Sequence, residues 1–223
     1  MKPDENLKKG WKEVVLPEDL DAHMEATEQG PCNAELVRNM LSNSPLPQGS
    51  KILIPGCGTG QLFDYLPDKI LNRYKLTCTD INLSFIENLR KRLESHPQMN
   101  CTAFLDDIEQ TGLNGSFDGV LAILLLEHTD WEKVIESISK LQPQKIYIII
   151  QENKISEAPI INTQRKLRES IRKFASMAKS HKIDRSELIE NLAAKRYELK
   201  NAASKEVPDS KIMTGLVFEK VIN

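Results

Sequence analysis

Lys51-Ile-Leu-Ile-Pro-Gly-Cys-Gly-Thr-Gly60 is the stretch that decides the fold of this 223-residue chain. The apolar run Lys51–Pro55 predicts a short buried strand. Glycines after it predict a sharp turn into a helix, where backbone amides can meet a ligand. They stand at Gly56, Gly58 and Gly60.

A glycine turn alone is weak evidence, because dinucleotide dehydrogenases use a similar one and an ordinary tight turn is a further alternative. The spacing here is G-x-G-x-G, whereas the dehydrogenase pattern is G-x-G-x-x-G, and position 61 is Gln61. The turn also lacks the Gly-Lys-Ser/Thr sequence of a phosphate-binding P-loop. Dehydrogenase and P-loop readings are therefore disfavoured.

Strand and helix patterns alternate on both sides of this turn. Further strands are predicted over residues 74–80, 100–105, 117–126 and 145–151, and helices over 61–71, 84–95, 131–141 and 185–195. Two extended segments, 196–201 and 211–221, follow around a turn at 207–210 and predict an antiparallel hairpin. The pattern predicts an α/β fold with a Rossmann-like, mostly parallel seven-stranded sheet, helices on both faces and a C-terminal antiparallel hairpin.

Composition excludes several classes of protein. With 30 basic and 32 acidic residues the net charge is −2, which disfavours a dedicated nucleic-acid-binding protein but allows a local basic patch. The longest apolar runs, 120–126 and 146–150, are too short to span a membrane, and the first residues do not resemble a signal peptide. We expect a cytoplasmic monomer or dimer without a metal site. Its four cysteines, which include no CxxC pair, are expected to be reduced thiols: Cys32, Cys57, Cys78 and Cys101.

Acidic residues follow the second and third predicted strands. A carboxylate at Asp80 can accept both hydroxyls of a ribose, or it can cap the helix that follows. After the third strand, a carboxylate can accept from the amino group of an adenine while Ile108 covers the ring; the alternative is a pair of solvated loop acids. We favour Asp107 over Asp106 for the adenine contact because of the loop sequence that follows it.

The fourth predicted strand ends in Glu127 and His128. Either side chain can position a substrate or accept its proton; alternatively, both begin the next helix in solvent. His23, which precedes the first strand, is a third candidate, although a lone histidine is more often structural. Glu152 is a further possible base, and no single one is preferred.

Together, the glycine turn, the acids after two strands and the segment from Phe117 and Asp118 to Glu127 and His128 resemble the class I S-adenosylmethionine (SAM)-dependent methyltransferases over residues 50–150. The resemblance implies SAM as cofactor and S-adenosylhomocysteine (SAH) as product. It places the turn at the methionine part, Asp80 at the ribose, and residues near Leu124 at the sulfonium. The implied cofactor-binding residues are Gly56, Cys57, Gly58, Gly60, Asp80, Ile81, Asp106, Asp107, Ile108 and Leu124.

One position departs from the family pattern. Most members carry an acid two residues before the first glycine, whereas this chain has Ile54 followed by Pro55. The Pro-Gly-Cys-Gly run is similar to that of thiopurine and thiol/halide methyltransferases, which also lack the acid. Another group, from the amino-terminal segment, would have to contact the amino group of the cofactor.

By this resemblance, residues 51–223 form the methyltransferase domain and residues 1–50 a helical cap of the same domain. Residues 152–184 interrupt the pattern as a helical insertion, either a solvated surface or a lid over the acceptor pocket. Apolar residues at helical spacing support an amphipathic helix there: Leu167, Ile171, Phe174 and Ala178. Its basic face holds Arg165, Arg168, Arg172 and Lys179.

The acceptor of the methyl group is not identified by the sequence. A small molecule is favoured by the compact domain and the near-neutral charge. An RNA or protein substrate is an alternative, because residues 160–185 contain eight Lys or Arg and two Asp or Glu. A SAM-binding protein without catalysis is a further alternative, since Ile54 replaces the usual acid.

Overall fold

The computed structural model describes residues 5–154 and 167–221. The strands are β1 Lys51–Pro55, β2 Lys75–Asp80, β3 Cys101–Leu105, β4 Gly119–Ile123, β5 Lys145–Asn153, β6 Tyr197–Val207 and β7 Lys211–Lys220. The helices are α1 Glu5–Glu13, α2 Pro17–Ala26, α3 Gln29–Asn43, α4 Leu62–Tyr65, α5 Asp68–Leu71, α6 Leu83–Leu93, α7 Trp131–Lys140, α8 Glu169–Met177 and α9 Arg185–Ala194.

The seven strands form one sheet in the order β3-β2-β1-β4-β5-β7-β6. The first five strands are parallel, and β7 runs antiparallel between β5 and β6. The predicted fold class is therefore confirmed. Since β7 is antiparallel, its first residue, Lys211, lies opposite Asn153 at the end of β5. The start of β7 therefore lies at the same end of the sheet as the carboxyl ends of the parallel strands.

The middle of each central strand is apolar because helices cover both faces of the sheet. In β5, residues Ile146 to Ile150 are all buried. On one face they pack with Val37 and Met40 of α3, and on the other with Ile135 of α7 and Leu188 of α9. Two apolar cores, one on each face, fix the positions of the strands. The carboxyl ends of the strands, where such sheets bind ligands, are therefore held close together.

Two predicted elements differ from the structure. The helix predicted over 61–71 is two short helices, α4 and α5, because Pro67 forces the preceding Leu66 into an extended conformation with ψ of 128°. The strand predicted over 117–126 ends at Ile123. Leu124 has φ of +49°, outside the range of a strand, and the chain then turns through Leu126–His128.

Helices α1, α2 and α8 form a layer beside the carboxyl edge of the sheet. Leu7 and Val15 pack with Phe85 of α6 and with Ile171 and Phe174 of α8. The main chain of Leu16 donates to the Ser170 hydroxyl, which in turn donates to a carboxylate of α2. The predicted cap is thus helical, although its division from the rest of the chain stays a prediction.

The predicted insertion 152–184 begins within β5, which continues to Asn153. Its helix, α8, buries its apolar side, and on its basic face Arg168, Arg172 and Lys179 are exposed. Arg165 and the rest of residues 155–166 lie outside the described residues. No helix in the described ranges has the length and apolar character needed to cross a membrane.

Candidate active site

A cavity of about 200 Å³ lies at the carboxyl edge of the sheet, between the strand ends and the layer of α1, α2 and α8. It brings together side chains and turns from elements that are distant in the sequence. Thirteen of the fourteen candidate residues line it: His23, Gly56, Cys57, Gly58, Gly60, Asp80, Ile81, Asp106, Asp107, Ile108, Leu124, Glu127 and His128. Their contacts with a ligand stay a prediction. The other candidate, Glu152, does not line the cavity and accepts from the Thr214 hydroxyl of β7.

The glycine turn leaves β1 with positive φ angles at all three glycines. Gly60 has φ of +80°, and a Cβ there would overlap the Leu89 side chain. Gly58 has φ of +56°, and its Cβ would meet Leu20 only at 3.5 Å. Gly60 is therefore required by close packing, whereas Gly58 keeps the backbone accessible on the side of the cavity.

Asp80 at the end of β2 stabilises this turn through hydrogen bonds. Its Oδ2 accepts from the amide of Gly58 at 2.9 Å, and its Oδ1 accepts from the amide of Asn82 at 2.9 Å. The helix-cap reading of Asp80 is wrong, because the Asn82 side chain caps α6 by accepting from Ser84 and Phe85. Burial raises the pKa of Asp80 to about 6, although these backbone amides act to lower it.

The two acids after β3 have different partners. Asp106 accepts from the Thr111 hydroxyl at 2.7 Å and from the amide of Gly112 at 3.1 Å, so it holds its own loop. Asp107 caps the following turn and forms an ion pair with Lys8 of α1. Both acids are thus partly solvated, but each also has partners within the structure. The Asp107 carboxylate remains partly accessible, with 31% of its side chain exposed.

Glu127 is fully buried, which contradicts the reading that it begins the next helix in solvent. Its Oε1 accepts from the amide of Gln151, and its buried Oε2 has no hydrogen-bond partner among the described residues. Burial raises the pKa of Glu127 to about 7. The next helix, α7, begins later, and Asp130 caps it. A carboxyl group with this pKa can accept a proton near neutral pH.

Both candidate histidines are held neutral. Burial lowers the pKa of His128 to about 3 and that of His23 to about 4, and the nearby Lys211 charge adds to both shifts. His128 Nδ1 lies 2.8 Å from the Ser180 hydroxyl, and its ring meets that of Trp11 at a centroid distance of 4.7 Å. These groups are weak bases, so Glu127 is the strongest of the candidate bases that line the cavity.

Sequence reasoning missed several polar residues that line the same cavity. Lys211 at the start of β7 is only 2% exposed, and burial lowers its pKa to about 8. Gln29 and Asn33 of α3 and Gln151 of β5 are also buried there, and the Gln29 amide lies 3.5 Å from that of Gln151. The signal for Lys211 is the predicted turn at 207–210. Because the strand after this turn is antiparallel, its first residue lies at the carboxyl ends of the parallel strands.

Position 54, where most members of the family carry an acid, is an isoleucine here, and Asp21 of α2 provides a nearby carboxylate. Ile54 is buried in the apolar core. Asp21 accepts from the Thr59 hydroxyl and from the Gln61 amide, and it pairs with Arg92 at 2.8 Å. The amino-terminal segment therefore supplies a carboxylate to the glycine turn, but this carboxylate is already engaged in holding the turn.

All four cysteines are free thiols, and the sulfurs of Cys78 and Cys101 are 3.5 Å apart beneath the glycine turn. Hydrogen bonding with the thiols of Cys101 and Cys57, together with burial, raises the pKa of Cys78 well above its usual value. Across the ranges 5–154 and 167–221, no three His, Cys, Asp or Glu side chains are grouped so that they could hold a metal ion.

Residues 52–143 match the family model described as a methyltransferase domain. The matched range runs from β1 to the end of α7 and contains the glycine turn, Asp80, Asp107 and Glu127. Over these residues the chain matches a methyltransferase domain. None of the curated proteins matches the chain.

Solved structures share the fold of this methyltransferase domain over most of the chain. Magnesium protoporphyrin IX methyltransferase from Synechocystis PCC 6803 with bound SAH has a TM-score of 0.66 and 13% identity, covering 86% of this chain and 84% of that one. A putative sarcosine dimethylglycine methyltransferase from Galdieria sulphuraria has a TM-score of 0.64 and 12% identity, covering 85% of both chains.

Geranyl diphosphate methyltransferase in complex with SAM has a TM-score of 0.63 and 12% identity, covering 86% of this chain and 85% of that one. At such low identity these likenesses establish a shared fold and no shared substrate. The methyltransferase domain has its cavity at the carboxyl edge of the sheet, where open α/β sheets bind their ligands.

Proposed function

We propose that this chain is a cytoplasmic SAM-dependent methyltransferase that acts on a small molecule. One observation carries the proposal: the glycine turn, Asp80 and Asp107 line a single cavity at the ends of adjacent parallel strands. Relatives in fold that are named as small-molecule methyltransferases, with SAM or SAH bound, support the same assignment.

The residues at the cavity fit an adenosyl group. Each Asp80 oxygen accepts one backbone amide, and a carboxylate oxygen has a second lone pair that can accept a ribose hydroxyl. Asp107, which is partly exposed, would accept from the adenine amino group, and Ile108 would cover the ring. The bare backbone of Gly58 would lie against the methionine part. Bound here, SAM supplies a methyl group already activated by its positive sulfur.

The task of the protein is then to position the acceptor and to remove its proton. The cofactor would supply the methyl group, and side chains of the cavity would hold the acceptor atom towards it. Glu127 Oε2, which is buried and without a partner among the described residues, takes the proton of the acceptor. The pKa of about 7 suits this transfer, because the carboxyl group exchanges a proton readily near neutral pH.

The cover over the cavity favours a small acceptor. Trp11 of α1, His23 of α2 and Ile171 of α8 all line the cavity from the side opposite the sheet. The basic side chains of α8 are exposed, which supports the reading of a solvated surface for this face. A macromolecular substrate would need an open groove, so the RNA- or protein-directed alternative has less support.

Calorimetry on purified protein tests the cofactor assignment. We expect SAH and SAM to bind with one site per chain, and we expect incubation with methyl-labelled SAM and a metabolite extract to yield a labelled small product. Absence of binding to folded protein would contradict the proposal. Binding without transfer to any extract would instead favour a SAM-binding protein without catalysis.

A further inference from the structure

One end of the cavity extends beyond the region assigned to the adenosyl group. Lys211 on β7 is separated from β1 by β4 and β5 in the sheet. At about 4.8 Å between neighbouring strands, it lies roughly 14 Å across the sheet from the glycine turn. We call this end the acceptor end, defined by Gln29, Asn33, Glu127, Gln151 and Lys211.

The acceptor end contains a buried cation. Lys211 is 2% exposed, and within the ranges 5–154 and 167–221 no carboxylate forms an ion pair with it. Asp209 is the acidic residue whose charge acts on it, and this charge offsets only part of the effect of burial on its pKa. A buried ammonium group without an ion-pair partner is costly to the fold. Such a group is expected where a ligand supplies the opposite charge.

Two buried oxygens of the acceptor end also lack hydrogen-bond partners among the described residues. They are Asn33 Oδ1 and Glu127 Oε2. Asn33 lies one turn of α3 beyond Gln29, whose amide is 3.5 Å from that of Gln151, and the main chain of Gln151 donates to Glu127. The two oxygens therefore belong to segments that both contact Gln151 of β5. Each of them can accept a hydrogen bond from a ligand.

We propose that the acceptor is a small amino carboxylate, whose carboxylate binds the Lys211 ammonium and whose amine faces Glu127 and Asn33. The inference rests on the proposed function, since it names the substrate class of that site. An amine has N–H groups for the unpartnered oxygens and keeps a lone pair for the methyl group. A carboxylate matches the single charge of Lys211, whereas a phosphate would bring a second buried charge without a partner.

The test uses folded protein saturated with SAH and short probes of matched length. Glycine, β-alanine and 4-aminobutyrate are titrated against methylamine, ethylamine and propylamine, which lack the carboxylate, and against 2-aminoethyl phosphate. We expect at least one amino carboxylate to bind about tenfold or more tightly than the matched amine, as charge-assisted hydrogen bonds do. It should also bind more tightly than the phosphate probe.

Lys211→Met should abolish this preference while leaving the affinity for SAH unchanged. Lys220→Met, on the same strand at its other end, is the matched control and should behave as the wild type. The wild-type comparison of amino carboxylate with amine decides the question even if Lys211→Met does not fold.

The outcomes separate this inference from the proposed function. If SAH does not bind, the proposed function itself fails. If SAH binds and no amino carboxylate exceeds its matched amine, the inference is overturned and the cofactor assignment stands. A tighter phosphate probe, or an unchanged preference in Lys211→Met, also overturns it.

Discussion

The carboxylates that line this cavity differ in their partners. Asp80 is tied to two backbone amides, Asp107 to Lys8, and Glu127 to one amide with its second oxygen left without a partner among the described residues. Burial raises the pKa values of Asp80 and Glu127. Under the proposed function, the same type of side chain would hold a turn, bind a ligand or accept a proton, depending on what surrounds it.

Asp80→Asn should weaken SAH binding about tenfold or more, because hydrogen bonds to a charged group contribute roughly 1.5–3 kcal/mol. The new amide nitrogen cannot accept from Gly58 or from a ribose hydroxyl. Calorimetric titration measures the change. Asp118→Asn is the control, since that carboxylate accepts from the Lys51 amide at the opposite edge of the sheet. Equal affinities in both variants and the wild type would remove Asp80 from the binding site.

Glu127→Gln should change the pH dependence of stability. The folded-state pKa of Glu127, about 7, lies above its ordinary value of 4.5, so its folded state retains a proton that the unfolded state has lost. Its contribution to stability is complete below pH 4.5 and is lost as the pH rises to about 7. With 1.36 kcal/mol per pKa unit, this loss is roughly 3 kcal/mol.

The glutamine variant has no such loss, so its stability relative to the wild type should rise between pH 5 and pH 8 in urea unfolding. Glu132→Gln, at an exposed position of α7, is the control and should parallel the wild type. Parallel curves for Glu127→Gln as well would show that Glu127 is not buried as described.

At the scale of elements, the layer of α1, α2 and α8 is joined to the sheet through a small number of polar contacts. Asn82 caps α6, and its amide also donates to the main-chain oxygens of Trp11 and Val15. One side chain thus connects the end of β2 with the segment between α1 and α2. The position of the cover over the cavity depends on this connection.

Asn82→Ala should cost about 2–3 kcal/mol of unfolding free energy, since it removes a helix cap and leaves two buried carbonyls without a donor. Asp184→Ala, which removes only the cap of α9, should cost about 1 kcal/mol. Urea unfolding compares the two variants. SAH affinity should fall only in Asn82→Ala, and an equal cost in both variants would argue against the connection.

At the scale of the whole molecule, the cavity lies between the sheet and its helical cover, so a ligand there contacts both. A ligand that binds only the folded state stabilises it by about 2.7 kcal/mol at 100 times its dissociation constant. For a chain of this size that corresponds to a rise in Tm of roughly 5–10 °C.

Thermal unfolding with increasing SAH measures this rise. The Tm should climb with concentration in the wild type and much less in Asp80→Asn. A flat Tm in the wild type at millimolar SAH would contradict a cofactor site in this cavity.

The order of strands and helices could be predicted because the signals are local. Apolar runs such as Lys51–Pro55 and the glycines after it depend on neighbouring residues, so the parallel sheet and its hairpin follow from the sequence. The break at Pro67 was also local but was overlooked, since the apolar spacing across 61–71 continued through it. Asp80 and Asp107 were found in the same way, as acids at strand ends.

Contacts between residues that are far apart in the sequence were decided only by the tertiary structure. Lys8 forms an ion pair with Asp107, which lies 99 positions later in the chain. Lys211 lines the cavity because β7 runs antiparallel beside β5. The burial of Glu127 likewise depends on β5 and on the cover, and burial sets its pKa. The sequence by itself determined which strands end in carboxylates, because that is a local feature of the chain. Packing determined which of these carboxylates are buried, and burial is what raises their pKa values.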